Sequence, residues 1–297
     1  YIKDTADLIQ SVPLSLTTGH SSYTQNVGEV RNQGVEIEID ATVIKAGDFN
    51  WAIYGNYSTN DNEVLRLAKD AAGNDINLDG GYNATRVGRS ISSWYLRTWG
   101  GVDSNDGRPY YVVGGDQTPE EGYSEEITYS LTSALQSFQG ERIPTYSGGI
   151  GTRLNYKGLS VDANFYFTGG HKIYERWAWY YMQSGLLSTR YYQGAEALMD
   201  RWQNPGDVTD VPKMIYSTST TTSGSGNSSR FLYDGDFVRL RDLTVNYTLP
   251  KSLLGNSGLD GVNVFVKGLN LFTWVKDDDL KIDPEVRMNG SWEIYTP

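Results

Sequence analysis

The clearest hydrophobic pattern in the chain lies in residues 35–58, where apolar and polar residues alternate in two runs. Val35, Ile37, Ile39, Ala41 and Val43 alternate with Glu36, Glu38, Asp40 and Thr42, and a second run alternates in the same way from Phe49 to Ser58. A period of two residues indicates β-strands with one apolar and one polar face. Residues 45–48 form a short turn in which Gly47 is expected to take a positive φ, so the pattern predicts an antiparallel hairpin.

Two further hairpins follow the same pattern. One covers residues 150–168 and turns at Lys157 and Gly158, and the other pairs residues 237–249 with residues 262–274. In the last hairpin the apolar phase slips between Leu240 and Leu243, which predicts a bulge at Arg241 and Asp242. Weaker patterns predict a short hairpin over residues 91–113, a loop over residues 6–27 and a short helix over residues 195–202.

The spacing of the hairpins separates two fold classes. Each long hairpin has a short internal turn, whereas tracts of about thirty residues or more join successive hairpins, which is too long for an ordinary compact domain. Short turns at one end and long loops at the other are typical of outer-membrane barrels, and the strands approach the roughly 9–11 residues that cross a bilayer. A soluble sandwich remains the alternative.

Composition and charge narrow the functional classes. Hydrophobic residues make up 38% of the chain and aromatic residues 13%, a combination that fits a large barrel with polar loops or a sugar-binding β-protein. The net charge of −11 argues against nucleic acid as a partner. The absence of Cys excludes disulfides, thiol catalysis and Cys-ligated zinc, and no apolar run is long enough for a membrane helix.

Candidate catalytic and metal-binding patterns are weak. Residues 75–80 match the start of a calcium loop, but Arg86 stands where the bidentate Glu belongs, so a solvated loop is favoured over a calcium site. The acids between residues 277 and 285 fit a cation clamp or a hydrated surface loop. His20 and His171 have no partners at the spacing of a triad or a zinc site, so we expect no enzymatic role, no cofactor and no metal.

An aromatic section is the best candidate for a binding site. It comprises Tyr174, Trp177, Trp179, Tyr180, Tyr181, Tyr191 and Tyr192, and Trp94, Tyr95 and Trp99 are further candidates. These rings can contact a substrate, form the interface with a partner protein, or pack the long loop against its neighbours. The sequence leaves the three alternatives open.

Five ordered motifs resemble the barrel of a TonB-dependent outer-membrane transporter of the SusC/RagA type. They are NVGEVRNQGVEIEI, GERIPTYSGGIGTRLNYKGLSVDANFYFTGG, RWQNPGDVTDVP, DGDFVRLRDLTVNYTLP, and VKGLNLFTW followed by Asp283-Pro284-Glu285. The resemblance implies a barrel of roughly 22 strands filled by a plug domain. It also implies a SusD-like surface lipoprotein as a lid, energy from TonB, and a location in the outer membrane.

The resemblance implies which part of a barrel the chain forms and which residues face the lumen. We expect residues 1–297 to be the C-terminal part of a single barrel domain, an all-β, transmembrane, antiparallel β-barrel segment of about seven strands with long extracellular loops, without the plug and the last strand. Glu36, Glu38, Asp40, Asp162 and Asn164 are then expected to face the lumen. Val35, Ile37, Ile39, Val161, Ala163 and Phe165 are expected to face lipid.

Three functions remain open from the sequence. The first is TonB-dependent import of a large nutrient, an oligosaccharide or a peptide. The second is uptake of a metal chelate or cobalamin by a more distant TonB-dependent receptor, without a SusD-like partner. The third is a soluble carbohydrate-binding β-protein, which would differ from the other two because it needs no detergent.

Overall fold

The chain forms an antiparallel all-β structure in a computed structural model that describes residues 1–13, 22–70, 72–114, 126–185, 194–216, 224, 226–255 and 258–285. The strands are β1 (Ile2–Pro13), β2 (Ser22–Gln33), β3 (Glu36–Ala46), β4 (Phe49–Thr59), β5 (Asp61–Arg66), β6 (Leu78–Asp79), β7 (Asn83–Thr85), β8 (Ser93–Arg97), β9 (Trp99–Val102), β10 (Pro109–Val112), β11 (Ile127–Thr128), β12 (Gln136–Gly140), β13 (Tyr146–Tyr156), β14 (Leu159–Gly169), β15 (Lys172–Tyr174), β16 (Leu232–Asp234), β17 (Phe237–Thr248) and β18 (Asn263–Val275). The helices are α1 (Ala178–Tyr181) and α2 (Lys251–Leu254), and 3₁₀ turns cover Glu196–Asp200 and Ser229–Phe231.

Six long strands form the principal sheet in the order β18-β17-β14-β13-β4-β3. The predicted hairpins β3–β4, β13–β14 and β17–β18 are its units. Their three internal connections, two tight turns and the longer connection over residues 249–262, lie at the same end of the sheet. Within the described residues β3 and β18 are its two edges, so the sheet is an open segment of a barrel wall. The predicted barrel-segment fold is therefore confirmed.

The turns and the bulge follow the local sequence. Gly47 has a φ of +54°, as predicted, and Lys157 and Gly158 both have positive φ values of +46° and +89°. Two positive φ values in succession are typical of the tight turn that matches strand twist. The pairing of β17 shifts between Leu240 and Asp242 on both of its neighbours, which confirms the predicted bulge. Against β14 the extra residue is Arg241, whereas against β18 the extra residue lies on β18, at Asn270 or Leu271.

The wall continues past the principal sheet as a second, smaller sheet of order β1-β2-β5. Strand β2 leads into β3 and β4 leads into β5 with only one or two residues between them, and Gly34 lies at the first junction. A Cβ on Gly34 would lie 1.9 Å from the carbonyl oxygen of Thr59, so the close backbone approach requires glycine here. With β1 beside β2, seven strands follow one another along the wall, as the sequence predicted.

The prediction of a loop over residues 6–27 is wrong, because β1 extends to Pro13 and β2 begins at Ser22. These strands carry polar residues on both faces, so they lack the alternation on which the prediction depended. The predicted short hairpin is present as β9 and β10, and a 3₁₀ turn replaces the predicted helix of residues 195–202.

The buried core of the described residues lies outside the principal sheet, in the long connections and on strands β2 and β5 of the second sheet. Its largest cluster consists of Trp94, Leu96, Tyr174, Ala178 and Phe231. Two smaller clusters centre on Val64 and on Tyr111, and the short strands β6–β12, β15 and β16 surround them. The two short α-helices of the described residues have four residues each, far below a membrane-spanning length.

Candidate lumenal face and loop mouth

The register gives the principal sheet two chemically different faces. Glu38 pairs with Asn56, Asn56 with Gly149, and Gly149 with Tyr166, so these residues share one face. The neighbouring row joins Ile39 to Gly55, Ile150 and Phe165 on the other face. All five predicted lumen-facing residues, Glu36, Glu38, Asp40, Asp162 and Asn164, lie on the polar face. The predicted lipid-facing residues of β3 and β14 lie on the apolar face, and Ile37 and Ile39 remain at least half exposed there.

The polar face carries two kinds of acidic side chain. Asp162 accepts hydrogen bonds from Tyr54 Oη at 2.8 Å and from Arg153 Nε at 2.9 Å, so a cation and a phenol stabilise its charge. Glu36, Glu38 and Asp40 are exposed along β3 and have no ion pair with any described residue. They line an open groove of about 860 Å³ on this face. The β3 side of the wall is therefore strongly negative.

A cluster of two arginines joins β17 to the chain that follows β18. Arg239 is 5% exposed and donates to Glu285 Oε2 at 2.5 Å and to Asp283 Oδ1 at 2.7 Å. Arg241, which the bulge adds to β17, donates to Glu285 Oε1 at 2.7 Å. Charge-assisted bonds of this kind are stronger than neutral ones. They hold residues 283–285 against the wall.

The acidic loop motifs do not form a metal site in the described part of the chain. Asp75 pairs with Lys69, and Asp79 pairs with Arg86, the residue at the position of the missing calcium ligand. Asp283 and Glu285 pair with arginines, and Asp277 accepts a hydrogen bond from the Asp234 backbone N–H. No group of three or more His, Asp or Glu side chains within the described ranges is arranged to hold a cation. Their oxygens are engaged with the protein itself.

The predicted aromatic residues fall into three environments. Tyr174 and Trp94 are buried against each other with ring centroids 5.7 Å apart, and Trp94 Nε1 donates to the Lys172 carbonyl oxygen at 2.8 Å. Trp177, Trp179, Tyr180 and Tyr181 are half-buried at helix α1, where Tyr180 contacts both tryptophans. Tyr191 and Tyr192 lie outside the described residues. Among the described residues of this section, the α1 rings keep the most surface for contact with another molecule.

Tyr95 and Trp99 lie on neighbouring strands at the loop end of the wall. Tyr95 packs on Phe138 at 4.9 Å, and the Arg86 guanidinium lies 5.2 Å from its ring centre. Trp99 Nε1 donates to Asp210 Oδ1 at 2.6 Å, and the buried Arg230 lies over its ring. Both rings are half-buried, so each keeps one side available.

A cavity of about 600 Å³ lies where the long connections meet the tops of β14 and β17. We call it the mouth cavity, and its chemically distinctive lining residues are Trp94, Arg142, Tyr166, His171, Lys172 and Phe237. Its residues come from five separated segments of the chain, so no local sequence pattern predicts it. The position of His171 beside the TGG end of β14 is the one local signal.

Two buried titratable groups lie near this cavity. Burial lowers the pKa of His171, so its imidazole is neutral at neutral pH. Burial also raises the pKa of Glu175 to about 7. Glu175 is 3% exposed, and its Oε1 atom has no hydrogen-bond partner among the described residues. The loop core thus holds a carboxyl group that is partly protonated at neutral pH.

No protein-family model matches the chain. The chain is 29% identical over 297 residues to the TonB-dependent receptor P3 of Formosa agariphila, a match that covers 96% of this chain and 28% of the relative. It is 23% identical over 316 residues to the TonB-dependent receptor SusC of Bacteroides thetaiotaomicron, covering 97% of this chain and 27% of SusC. A structure of the RagAB peptide transporter superposes with a TM-score of 0.75 at 25% identity, covering 93% of this chain and 29% of that chain.

The resemblance to SusC/RagA-type TonB-dependent transporters is confirmed. A second structure, of the RagAB peptide importer in the 'closed-closed' state, has a TM-score of 0.73 at 24% identity and supports the fold. The chain spans less than a third of the length of the SusC-type relatives it matches. The described wall therefore matches one part of the length of these TonB-dependent receptors.

Proposed function

We propose that the chain is part of the barrel wall and outer loops of an active importer in the outer membrane. Its cargo is a large nutrient, an oligosaccharide or a peptide, and it works with a SusD-like surface lipoprotein and with TonB. The observation that carries the proposal is the two-faced wall. Its apolar face leaves Ile37, Ile39 and Ile150 at least half exposed, as lipid contact requires, while its other face is acidic and polar.

The apolar exposure also argues against the soluble alternative. A soluble sandwich buries its apolar strand faces against a second sheet, whereas here the core lies in the loops and the apolar wall face is open. Among the TonB-dependent candidates, the two similar RagAB structures are those of a peptide transporter and a peptide importer. Together with the similarity to SusC, they favour a nutrient importer over a receptor for a metal chelate or cobalamin.

In this proposal the polar face lines the transport path, with Glu36, Glu38, Asp40, Asp162 and Asn164 towards the lumen. The half-buried rings Trp177, Trp179, Tyr180 and Tyr181 contact either the nutrient or the lid lipoprotein, and Tyr95 and Trp99 are secondary candidates. Tyr174 and Trp94 support these loops from the core. Transport against a gradient needs work, and the described residues contain no nucleotide-binding or proton-relay element that could supply it.

The test is nutrient uptake by cells that carry the full-length transporter. Deleting its TonB contact should abolish accumulation while leaving the amount of transporter in the outer membrane unchanged. The matched control is the intact transporter in a strain with functional TonB. Undiminished accumulation after the deletion would leave a passive pore in place of an active importer.

A further inference from the structure

The mouth cavity opens on the polar face of the wall. Tyr166 belongs to the same row as Glu38, and Thr168, two residues further along β14, belongs to the row of Glu36. Both Tyr166 and Thr168 line the cavity, together with side chains of the long connections. In the proposed function, a nutrient that enters along this face meets the mouth cavity before it reaches the acidic groove.

The charge in the mouth cavity differs from that of the rest of the polar face. Lys172 Nζ lies 3.6 Å from Asp234 Oδ2, and Lys276 Nζ lies 2.8 Å from the same oxygen and 3.3 Å from Asp236 Oδ2, so the two lysines together balance these two aspartates. The lining carboxylate Glu285 is engaged by Arg239 and Arg241. Arg142 lies over the Trp94 ring, 5.5 Å from its centre. The charged side chains that line the cavity are therefore two cations, Lys172 and Arg142, and one carboxylate that two arginines engage, while Asp234 and Asp236 lie outside the lining.

His171 provides a second and independent observation. It lines the cavity, is 9% exposed, and its Nδ1 atom has no hydrogen-bond partner among the described residues. Most buried side-chain polar atoms are hydrogen-bonded, so this nitrogen can take a partner from a molecule bound in the cavity. A neutral imidazole can carry its proton on Nδ1 and donate one hydrogen bond.

We propose that the mouth cavity binds a carboxylate group of the transported nutrient. Lys172 supplies the charge, His171 Nδ1 donates a hydrogen bond, and the Trp94 and Tyr166 rings contact the flanking part of the molecule. The proposal rests on the proposed import function and adds the chemistry of the cargo to it. The carboxylate can belong to a peptide C terminus or to a uronic acid, and the exposed acids of β3 repel it from the neighbouring groove.

The experiment measures binding to the purified full-length transporter in detergent by isothermal titration calorimetry. One probe pair is a pentapeptide with a free C terminus and the same peptide as its C-terminal amide. The other pair is tetragalacturonate and neutral maltotetraose. The carboxylate member of one pair should bind roughly tenfold more tightly than its neutral partner, because charge-assisted hydrogen bonds favour it. The pair that gives the preference identifies the source of the carboxylate.

Variants of Lys172 and His171 test whether these two side chains cause the preference for the carboxylate probe. Lys172→Gln should reduce the preference to about one without weakening the neutral probe. His171→Gln tests the second donor, and Lys157→Gln, at a short turn of the opposite end, is the matched control that should keep the preference. A wild type that binds both members of each pair alike, or neither, overturns the proposal. So does a full preference in both Lys172→Gln and His171→Gln. Binding in detergent needs no TonB, so failure here is distinct from failure of energised uptake.

Discussion

At the scale of single residues, burial in the loop core decides the chemistry. Glu175 and Glu36 are the same residue type, yet Glu36 is exposed on the wall and Glu175 is 3% exposed among aromatic side chains. Burial disfavours the charged carboxylate, and it raises the pKa of Glu175 to about 7. The protonation state of one loop residue is therefore set by its packing, which no local sequence pattern encodes.

The raised pKa of Glu175 predicts a pH dependence of stability. The folded protein binds a proton that the unfolded chain releases above about pH 4.5, so the free energy of unfolding should fall as the pH rises from about 4.5 to 7. The slope from this group should be about 1.4 kcal/mol per pH unit inside that window and vanish above it. Thermal unfolding of the full-length transporter and of Glu175→Gln, measured across pH 4.5–8, checks this. If the Gln variant keeps the wild-type slope, another group is responsible.

The candidate site could be predicted in part. The alternation of the hairpins correctly grouped Glu36, Glu38, Asp40, Asp162 and Asn164, because side-chain direction in a paired strand follows from the period alone. The burial of Tyr174 and the unpaired Nδ1 of His171 could not be predicted, since both depend on segments far apart in the chain. The orientation of side chains could be predicted in the wall, whereas their burial and hydrogen bonding in the loops could not.

At the scale of elements, the alternation of apolar and polar residues is clearest in strands of the principal sheet, whose two faces are chemically different. The hairpins β3–β4 and β13–β14 alternate throughout and were predicted correctly, whereas β1 and β2 are polar on both faces and were predicted as loop. Strand β18 departs from the separation of apolar and polar faces in another way. Phe265 lies opposite Asn246 and Leu269 opposite Asp242, so this edge strand presents exposed apolar side chains on the polar face as well.

The two faces predict which positions react with a water-soluble thiol reagent. In the full-length transporter, Glu38→Cys and Asp162→Cys should be labelled through the lumen, and Ile39→Cys and Ala163→Cys should be protected by lipid. The chain contains no Cys that would add background. A reversed pattern would invert the assignment of the faces.

The free energy of unfolding provides an independent test of which face contacts lipid. Ile39→Arg should lower the free energy of unfolding by about 2–4 kcal/mol if the site lies near the bilayer midplane. Asn164→Arg, on the opposite face, should lower it far less because its charge stays in water. Urea unfolding in lipid vesicles compares the two variants.

At the scale of the whole molecule, the described chain is asymmetric along the wall. All three internal connections of the hairpins lie at one end of the principal sheet, and every buried cluster lies at the other. Loop-rich ends of outer-membrane barrels face the exterior. The loop end is thus expected to be the surface that meets nutrient and lid lipoprotein.

An inserted epitope tests this orientation. A tag after Gly206, in an exposed turn of the loop end, should be accessible to antibody on intact cells expressing the full-length transporter. The same prediction applies to the run of residues 217–229, which lies mostly outside the described residues. A tag after Gly47, in a short turn, is the matched control and should stain only after permeabilisation. Staining of the Gly47 tag alone on intact cells would mean that the barrel is inserted the other way round.

The continuity of β2 with β3 has a consequence for the first encounter with a nutrient. Residues 22–46 at about 3.3 Å each extend roughly 80 Å, or about 60 Å along a barrel axis to which strands tilt by some 40°. The hydrocarbon layer accounts for about 30 Å of this height. With its headgroup regions the bilayer takes about 40–45 Å, so the rim stands roughly 15–20 Å above the headgroups, which is about two Debye lengths of 8 Å. At that height the charges of the lipid headgroups are screened, and the field that an approaching nutrient feels is the one that the loops themselves produce.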